Sequence, residues 1–285
     1  MSDSSLWSEV EVAAVRGQSV LTVSRNVQPL KLLSPRTATS SCHVVLSSYG
    51  GGLLAGDVIR LRVAVQPEAR LLLSTQANTR VYRSDDGAVA EQLTEAHVAA
   101  GALAVVLPDP IVLQAQSRYR QHQHWHLAEG ALLLLADWFH SGRIDSGEQF
   151  AFTEYQSELR ISQEERLMVL DRFAFRPAEH IATSPAHFRQ HQTSLAVYLA
   201  GSPNDARFQQ LAAVLQAQQT QTRAGLPVDV SAHDCVVAVT QARPGVLLLR
   251  ALGTSRAALQ PIYDQLHHAL AAPELLGFDA GLRKY

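Results

Sequence analysis

Ser48-Tyr49-Gly50-Gly51-Gly52-Leu53-Leu54-Ala55-Gly56-Asp57, followed by Val58 to Val65, a Gln66-Pro67-Glu68-Ala69 break and Arg70 to Thr75, is the stretch from which the fold is read. Its glycines permit positive φ and close approach of other backbone segments, and a carboxylate follows at once. Val58 to Val65 alternates apolar and polar residues, as a strand with one buried face does, and Arg70 to Thr75 resumes after the break. The expectation is a β-hairpin whose far ends carry Asp57 and the Thr79-Arg80 pair. A phosphate loop is excluded, because no Gly-Lys-Ser/Thr follows the glycines and the chain runs on into a strand. A dinucleotide fingerprint is excluded too, since no helix N-terminus is there to hold a pyrophosphate. A plain structural corner explains the glycines as well as a functional loop does.

Working outward, strand patterns recur at short intervals. Val10 to Arg16 and Ser19 to Ser24 form a hairpin pattern around Gly17-Gln18, Leu30 to Leu33 precedes a Ser-Pro turn, and His43 to Ser47 leads into the glycines. Val89 to Val98 and Ile111 to Trp125 alternate, Ala102 to Leu107 and Ala131 to Trp138 are apolar runs, and Phe150 to Ile161 pairs with Leu167 to Phe175. Two helices are expected in the last third. Ser202-Pro203-Asn204-Asp205 reads as a helix start with Ser202 as the cap, the apolar stripe is Phe208, Leu211, Val214 and Leu215, and the stop falls before Gly225-Leu226-Pro227. The second begins near Thr254 or Ser255, with Leu259, Ile262, Tyr263, Leu266 and Leu270 inward and Gln260, Asp264 and His267 outward. Without a repeat, a linker or a composition break, the expected fold is mainly β: a single β-rich domain over residues 1–285, with two α-helices near its end.

Composition narrows the function classes. The formal charge of −2 argues against a nucleic-acid partner, and 47% hydrophobic residues suffice for a sizeable core. Cys42 and Cys235 are too few for a disulfide framework or a thiolate zinc site. Met1-Ser2-Asp3-Ser4-Ser5 lacks the basic and apolar regions of a signal peptide, and no apolar run approaches the roughly 18 to 20 residues of a membrane helix. The expected location is the cytoplasm. G-x-S-x-G, H-E-x-x-H, paired cysteines and a Walker segment are all missing, so no catalytic motif marks the chain.

The ordered motifs resemble the urease accessory family called UreD or UreH. The family's Pro/Tyr-Gly-Gly turn ending in Gly/Ala-Asp reads here as Tyr49 to Asp57, and its Thr-x-x-x-Thr-Lys-Val-Tyr/Phe-Arg/Lys-Ser reads as Thr75 to Ser84, with Arg80 in place of the usual lysine. Leu107-Pro108-Asp109-Pro110-Ile111-Val112, Ala136-Asp137-Trp138, Ser141-Gly142-Arg143 and Ser146-Gly147-Glu148 are similar to later family segments. So are Asp171-Arg172-Phe173 and Arg250-Ala251-Leu252-Gly253, and the resemblance runs from about residue 15 to 280. It implies stacked, helix-like strands beside antiparallel ones. It further implies a non-enzymatic scaffold for nickel insertion into urease. Such a scaffold binds UreF directly, the GTPase UreG through UreF, and the urease apoprotein, and a dimer within the accessory complex is compatible with it. Nickel is then cargo in transit, with no cofactor held tightly.

Carboxylates beside strand ends are either hydrogen-bonded turn caps or polar linings of a cavity. Asp57, Asp137 and Glu148 sit in such places. The resemblance implies an internal polar passage for nickel, which makes these three its candidate lining, with Thr79 and Arg80 as neighbours. Oxygen ligands would let a divalent ion go quickly, as a conduit requires. A different class of reading is a β-rich enzyme acting on a small polar substrate, with Asp57, Arg80 and Asp137 in one cleft. His122, His124 and His126 alternate along one strand face, opposite Tyr119, Trp125 and Leu127. Spaced about 7 Å apart they lie at the edge of chelating reach, so a solvated face is expected, with weak nickel capture as its alternative. His187 and His191 are expected to be ordinary polar residues.

Overall fold

In a computed structural model, residues 6–37, 39–184, 186–220 and 229–281 are described. Strands come first and dominate: β1 (Ser8–Val15), β2 (Gln18–Arg25), β3 (Leu30–Leu33), β4 (Cys42–Ser48), β5 (Val58–Val65), β6 (Arg70–Thr75), β7 (Thr79–Val81), β8 (Ala90–Val98) and β9 (Leu103–Leu107). They continue as β10 (Ile111–Leu113), β11 (Arg118–Leu127), β12 (Leu132–His140), β13 (Glu154–Gln163), β14 (Arg166–Phe175) and β15 (Thr193–Ala200). Helix α1 (Ala206–Gln216), β16 (Cys235–Arg243), β17 (Val246–Gly253) and α2 (Arg256–Leu270) follow.

From β4 to β13 the chain shuttles between two sheets, laying each new strand parallel to one from the previous coil. One sheet runs β14-β13-β11-β8-β5-β1-β2; the other runs β16-β17-β15-β12-β9-β6-β4-β3. Parallel pairs run from β1 to β13 in the first sheet and from β4 to β12 in the second; antiparallel pairing flanks them at β1–β2 and β13–β14, and at β3–β4 and through β12, β15, β17 and β16. The mainly β fold with stacked strands and two helices therefore stands.

The hairpin expected from Val58 to Thr75 does not form. β5 and β6 lie in different sheets, and the 66–69 link crosses between layers with Glu68 at φ 60°. The reason is in β6 itself. Leu71, Leu72 and Leu73 are consecutive and all buried, so β6 needs cover on both faces, whereas β5 alternates and has only one face to bury. Ile111 to Trp125 likewise divides. β10 joins β12 and β7, a turn with Gln116 at φ 61° intervenes, and β11 enters the opposite sheet.

The core has two layers. Between the sheets lie Leu71, Leu73, Val106, Leu133, Trp125 and Tyr155 with their neighbours, and between the second sheet and the helices lie Leu72, Val105, Leu134, Trp138, Leu211 and Leu266 with theirs. Each such leucine contributes roughly 1.5–3 kcal/mol by leaving water. Asp205, not Ser202, caps α1, its carboxylate accepting from the Arg207 amide at 2.8 Å. Pro203 and Asn204 precede the helix as a turn, which leaves Asp205 next to the first free amides. Helix α1 stops at Gln216; the Gly225-Leu226-Pro227 stop lies outside the described residues, as do Met1 to Ser5. Ser255 caps α2 as expected, but His267 is buried instead of facing away, because α2 is roofed by the chain that follows it, with Gly281 beside the His267 ring.

Candidate functional site

The glycine corner is built by close approach. Gly50 and Gly51 take φ of 75° and 72°, and a side chain on Gly52 would stand 2.6 Å from both the Arg80 carbonyl and the Tyr82 ring. Through that gap the Leu53 amide donates to the Arg80 carbonyl at 2.7 Å, and the Tyr82 amide donates to the Leu53 carbonyl at 2.9 Å. The ladder continues from β7 to β10 and from β10 to the end of β12. Segments far apart in sequence thus become neighbouring rungs of one corner.

Asp57 closes this corner. Its carboxylate accepts from the Leu54 amide at 2.7 Å, its amide donates to the Leu54 carbonyl, and its carbonyl accepts from Glu91. Glu148 accepts from the Ala115 amide at 2.8 Å and from the Arg143 guanidinium at 2.5 and 2.9 Å, tying the loop after β12 to the turn before β11. Arg80 is exposed, and Thr79 lines a cavity beside the corner. Asp57, Arg80 and Glu148 line neither of the two cavities described next, whereas Asp137 lines both.

Between the sheets lie two cavities of about 210 and 320 Å³. The first runs inward from Gly51, Thr75 and Thr79 past Asp109 to Gln121 and Asp137; the second runs from Asp137 past Ser157 to Asp171, Tyr198 and Arg250. Asp137 lines both. Its Oδ2 accepts from Gln121 Nε2 at 2.7 Å and from Ser157 Oγ at 3.0 Å, and Gln121 Nε2 also reaches the Tyr155 hydroxyl at 3.1 Å. Burial raises the Asp137 carboxyl above the usual carboxylate range, the two hydrogen bonds oppose that shift, and nearby Asp171 adds to it. Burial likewise keeps the Tyr119, Tyr155 and Tyr198 phenols protonated well past their ordinary value.

The other carboxylates along the path have cationic partners. Asp109 has Arg256 at 3.5 Å, and Asp171 Oδ2 accepts from Arg250 and Tyr198, both at 2.5 Å. The groups that donate to Asp137 are neutral. A carboxylate that lines a cavity between the sheets and is held by neutral donors favours an arriving cation or a proton.

Gln121, Ser157, Asp109 and Asp171 are site residues that sequence reasoning passed over. The signal was present for three of them. Gln121 shares a face with Tyr119 and Trp125, Ser157 with Tyr155 and Leu159, and Asp171 with Val169 and Phe173, so each is polar at an inward position of an alternating strand. Asp109 follows a proline in a loop, where periodicity is silent.

His122, His124 and His126 do face outward on β11, with His122 exposed and the other two half-buried. The parallel register sets His126 beside His97 and Ser162. Burial lowers the His124 and His126 pKa values below the ordinary imidazole value, with Arg160 and His97 adding to the shift at His124, and His124 and His97 at His126. Of the other two histidines, His191 departs from the expectation: it is buried, its ring nitrogens 3.2 and 3.0 Å from the Phe188 and His233 carbonyls, whereas His187 is exposed at the edge of the second cavity.

Among the described residues no helix is long and apolar enough to cross a membrane, and no three His, Cys, Asp or Glu side chains, as they are placed, are grouped closely enough to hold a metal ion. Residues 7–284 match the family described as UreD urease accessory protein. The urease accessory protein UreD of Cytophaga hutchinsonii is 32% identical over 271 residues, 95% of either chain. That of an Anaeromyxobacter species is 42% identical over 170 residues, 60% of this chain and 57% of the relative. Urease accessory protein D of Oryza sativa subsp. indica is 37% identical over 166 residues, 57% of this chain and 54% of the relative.

Proposed function

The chain belongs to the UreD family of urease accessory proteins, and from that membership we infer a scaffold, without catalysis of its own, through which nickel reaches the urease apoprotein in the cytoplasm. One observation carries the route: two cavities between the sheets meet at a single half-buried carboxylate, Asp137. The ion enters beside the glycine corner and passes Asp109. It trades water for the Asp137 oxygens at the junction and leaves along the Asp171 side. Two properties suit Asp137 to transit instead of storage. One carboxylate with neutral neighbours attracts a divalent ion, and too few oxygens converge there to retain it. Asp57 and Glu148 serve the passage indirectly, by holding the corner and the loop that frame it. Thr79 lines the first cavity beside the corner, and Arg80 lends its carbonyl to the corner's backbone ladder.

In this reading UreF binds the scaffold directly, UreG joins through UreF and hydrolyses GTP, and the urease apoprotein receives the metal. Replacing Asp137 with Asn tests it, since the amide keeps the shape and removes the charge. Cells carrying Asp137→Asn are expected to yield urease with nickel content and activity lowered several-fold, while the variant still co-purifies with UreF and apo-urease. Full activation by the variant overturns the route; failure of the wild-type chain to co-purify with either partner overturns the scaffold.

A further inference from the structure

On the outer face of the seven-stranded sheet, away from both cavities, three imidazoles meet. His97 and His126 are register partners on β8 and β11, and their rings stack with centroids 4.6 Å apart. His124, two residues along β11, leans toward His126 until their centroids are 3.7 Å apart. Spacing along one strand would hold such rings about 7 Å apart, so the side chains have closed a gap that the backbone leaves open. Nε2 of His124 and Nδ1 of His126 both point at the Ser162 hydroxyl, at 3.2 and 3.1 Å. Two ring nitrogens aimed at one polar atom form the start of a chelate. Beside them a shallow depression of about 420 Å³, lined by His97, His126, Glu164 and Glu165, leaves room for an ion with its water.

We propose that His124 and His126, joined by His97, form a surface site for a borderline divalent transition-metal ion of the Ni²⁺, Cu²⁺ and Zn²⁺ class. Imidazole nitrogen is the preferred donor for these ions, whereas Mg²⁺ and Ca²⁺ require oxygen. Binding displaces the Ser162 hydroxyl from between the two rings. The ring nitrogen that had donated to it passes its proton through solvent to the other nitrogen of the same ring, so both ligands bind as neutral imidazoles. His97 is exposed, and on leaving its stack with His126 it supplies the third nitrogen; water fills the remaining positions.

Calorimetric titration of the full chain with Ni²⁺ alone tests this. Wild type and His122→Gln, whose exposed ring lies outside the cluster, are expected to bind with equal affinity. His124→Gln combined with His126→Gln is expected to weaken binding at least about tenfold, and His97→Gln to weaken it less. Equal affinity in the double variant overturns the site, as does an equal loss in His122→Gln. A second measurement needs no variant: at substoichiometric Ni²⁺ the ring proton signals of His97, His124 and His126 should broaden before those of the other histidines. Earlier broadening of any other histidine also overturns the proposal.

Discussion

Strand β9 is buried at all five of its residues, whereas β11, across the core in the other sheet, alternates between buried Tyr119, Gln121 and Trp125 and the more accessible Arg120, His122 and His124. Both strands are central and parallel to their neighbours. What separates them is the pair of helices, which covers the outer face of one sheet and leaves that of the other in water. The difference decides what each sheet can carry. The covered sheet holds His140 in a closed network, where Thr193 Oγ1 donates to the Phe139 carbonyl and accepts from Trp138 and His140. The bare sheet holds His124 and His126 where solvent and ions reach them.

The comparison breaks most sharply at a leucine. Leu134→Ala empties part of the layer beneath the helices and is expected to cost about 2–5 kcal/mol, against about 0.5 kcal/mol or less for His122→Ala on the bare sheet. Urea denaturation of the two variants measures both; similar losses would mean that the helices are not an effective cover.

A second test uses pH. Burial pushes the His140 imidazole down to about 4 from 6.5, and Arg256 adds to the shift. Above pH 6.5 the ring is neutral in both states and adds no pH dependence. Between 6.5 and 4 the unfolded chain takes up a proton that the folded chain refuses, so stability falls as the pH falls. Relative to its value at neutral pH, wild type should lose about 3 kcal/mol more than His140→Gln on reaching pH 4. Parallel stability–pH curves for the two proteins would place His140 in contact with water.

The smallest effect sharpens the role of the cover. Ser255→Ala removes the hydroxyl that accepts from the Ala258 amide at the start of α2 and should lower stability by about 1 kcal/mol. Hydrogen exchange is then expected to quicken in α2 and in β17 beneath it, with β11 unchanged.

Much of the site was legible residue by residue, but its assembly was not. Its place beside Trp138 near a strand end marks Asp137 in the sequence, and it is the carboxylate that both cavities share. Asp57 resides in a similar local sequence and spends its carboxylate on the Leu54 amide, because the glycine turn presents that amide 2.7 Å away. Glu148 meets Arg143 five residues back and the Ala115 amide from a distant turn. Local sequence offers a carboxylate; which donor reaches it first depends on what the fold brings alongside. The same limit applies to the histidines, whose third ring, His97, comes from another strand.

Taken alone, the sequence determined the strand-rich fold, the positions of its corners, the two late helices and the family. Each of these follows from patterns only a few residues long, namely period-two alternation, glycine clusters, caps and ordered motifs. Tertiary structure alone decided that β5 and β6 part into opposite sheets, that the cavities join at Asp137, and that three imidazoles close up on one face. Those outcomes rest on pairings between distant strands. A strand specifies which face it must bury, and only the assembled core settles what it is buried against.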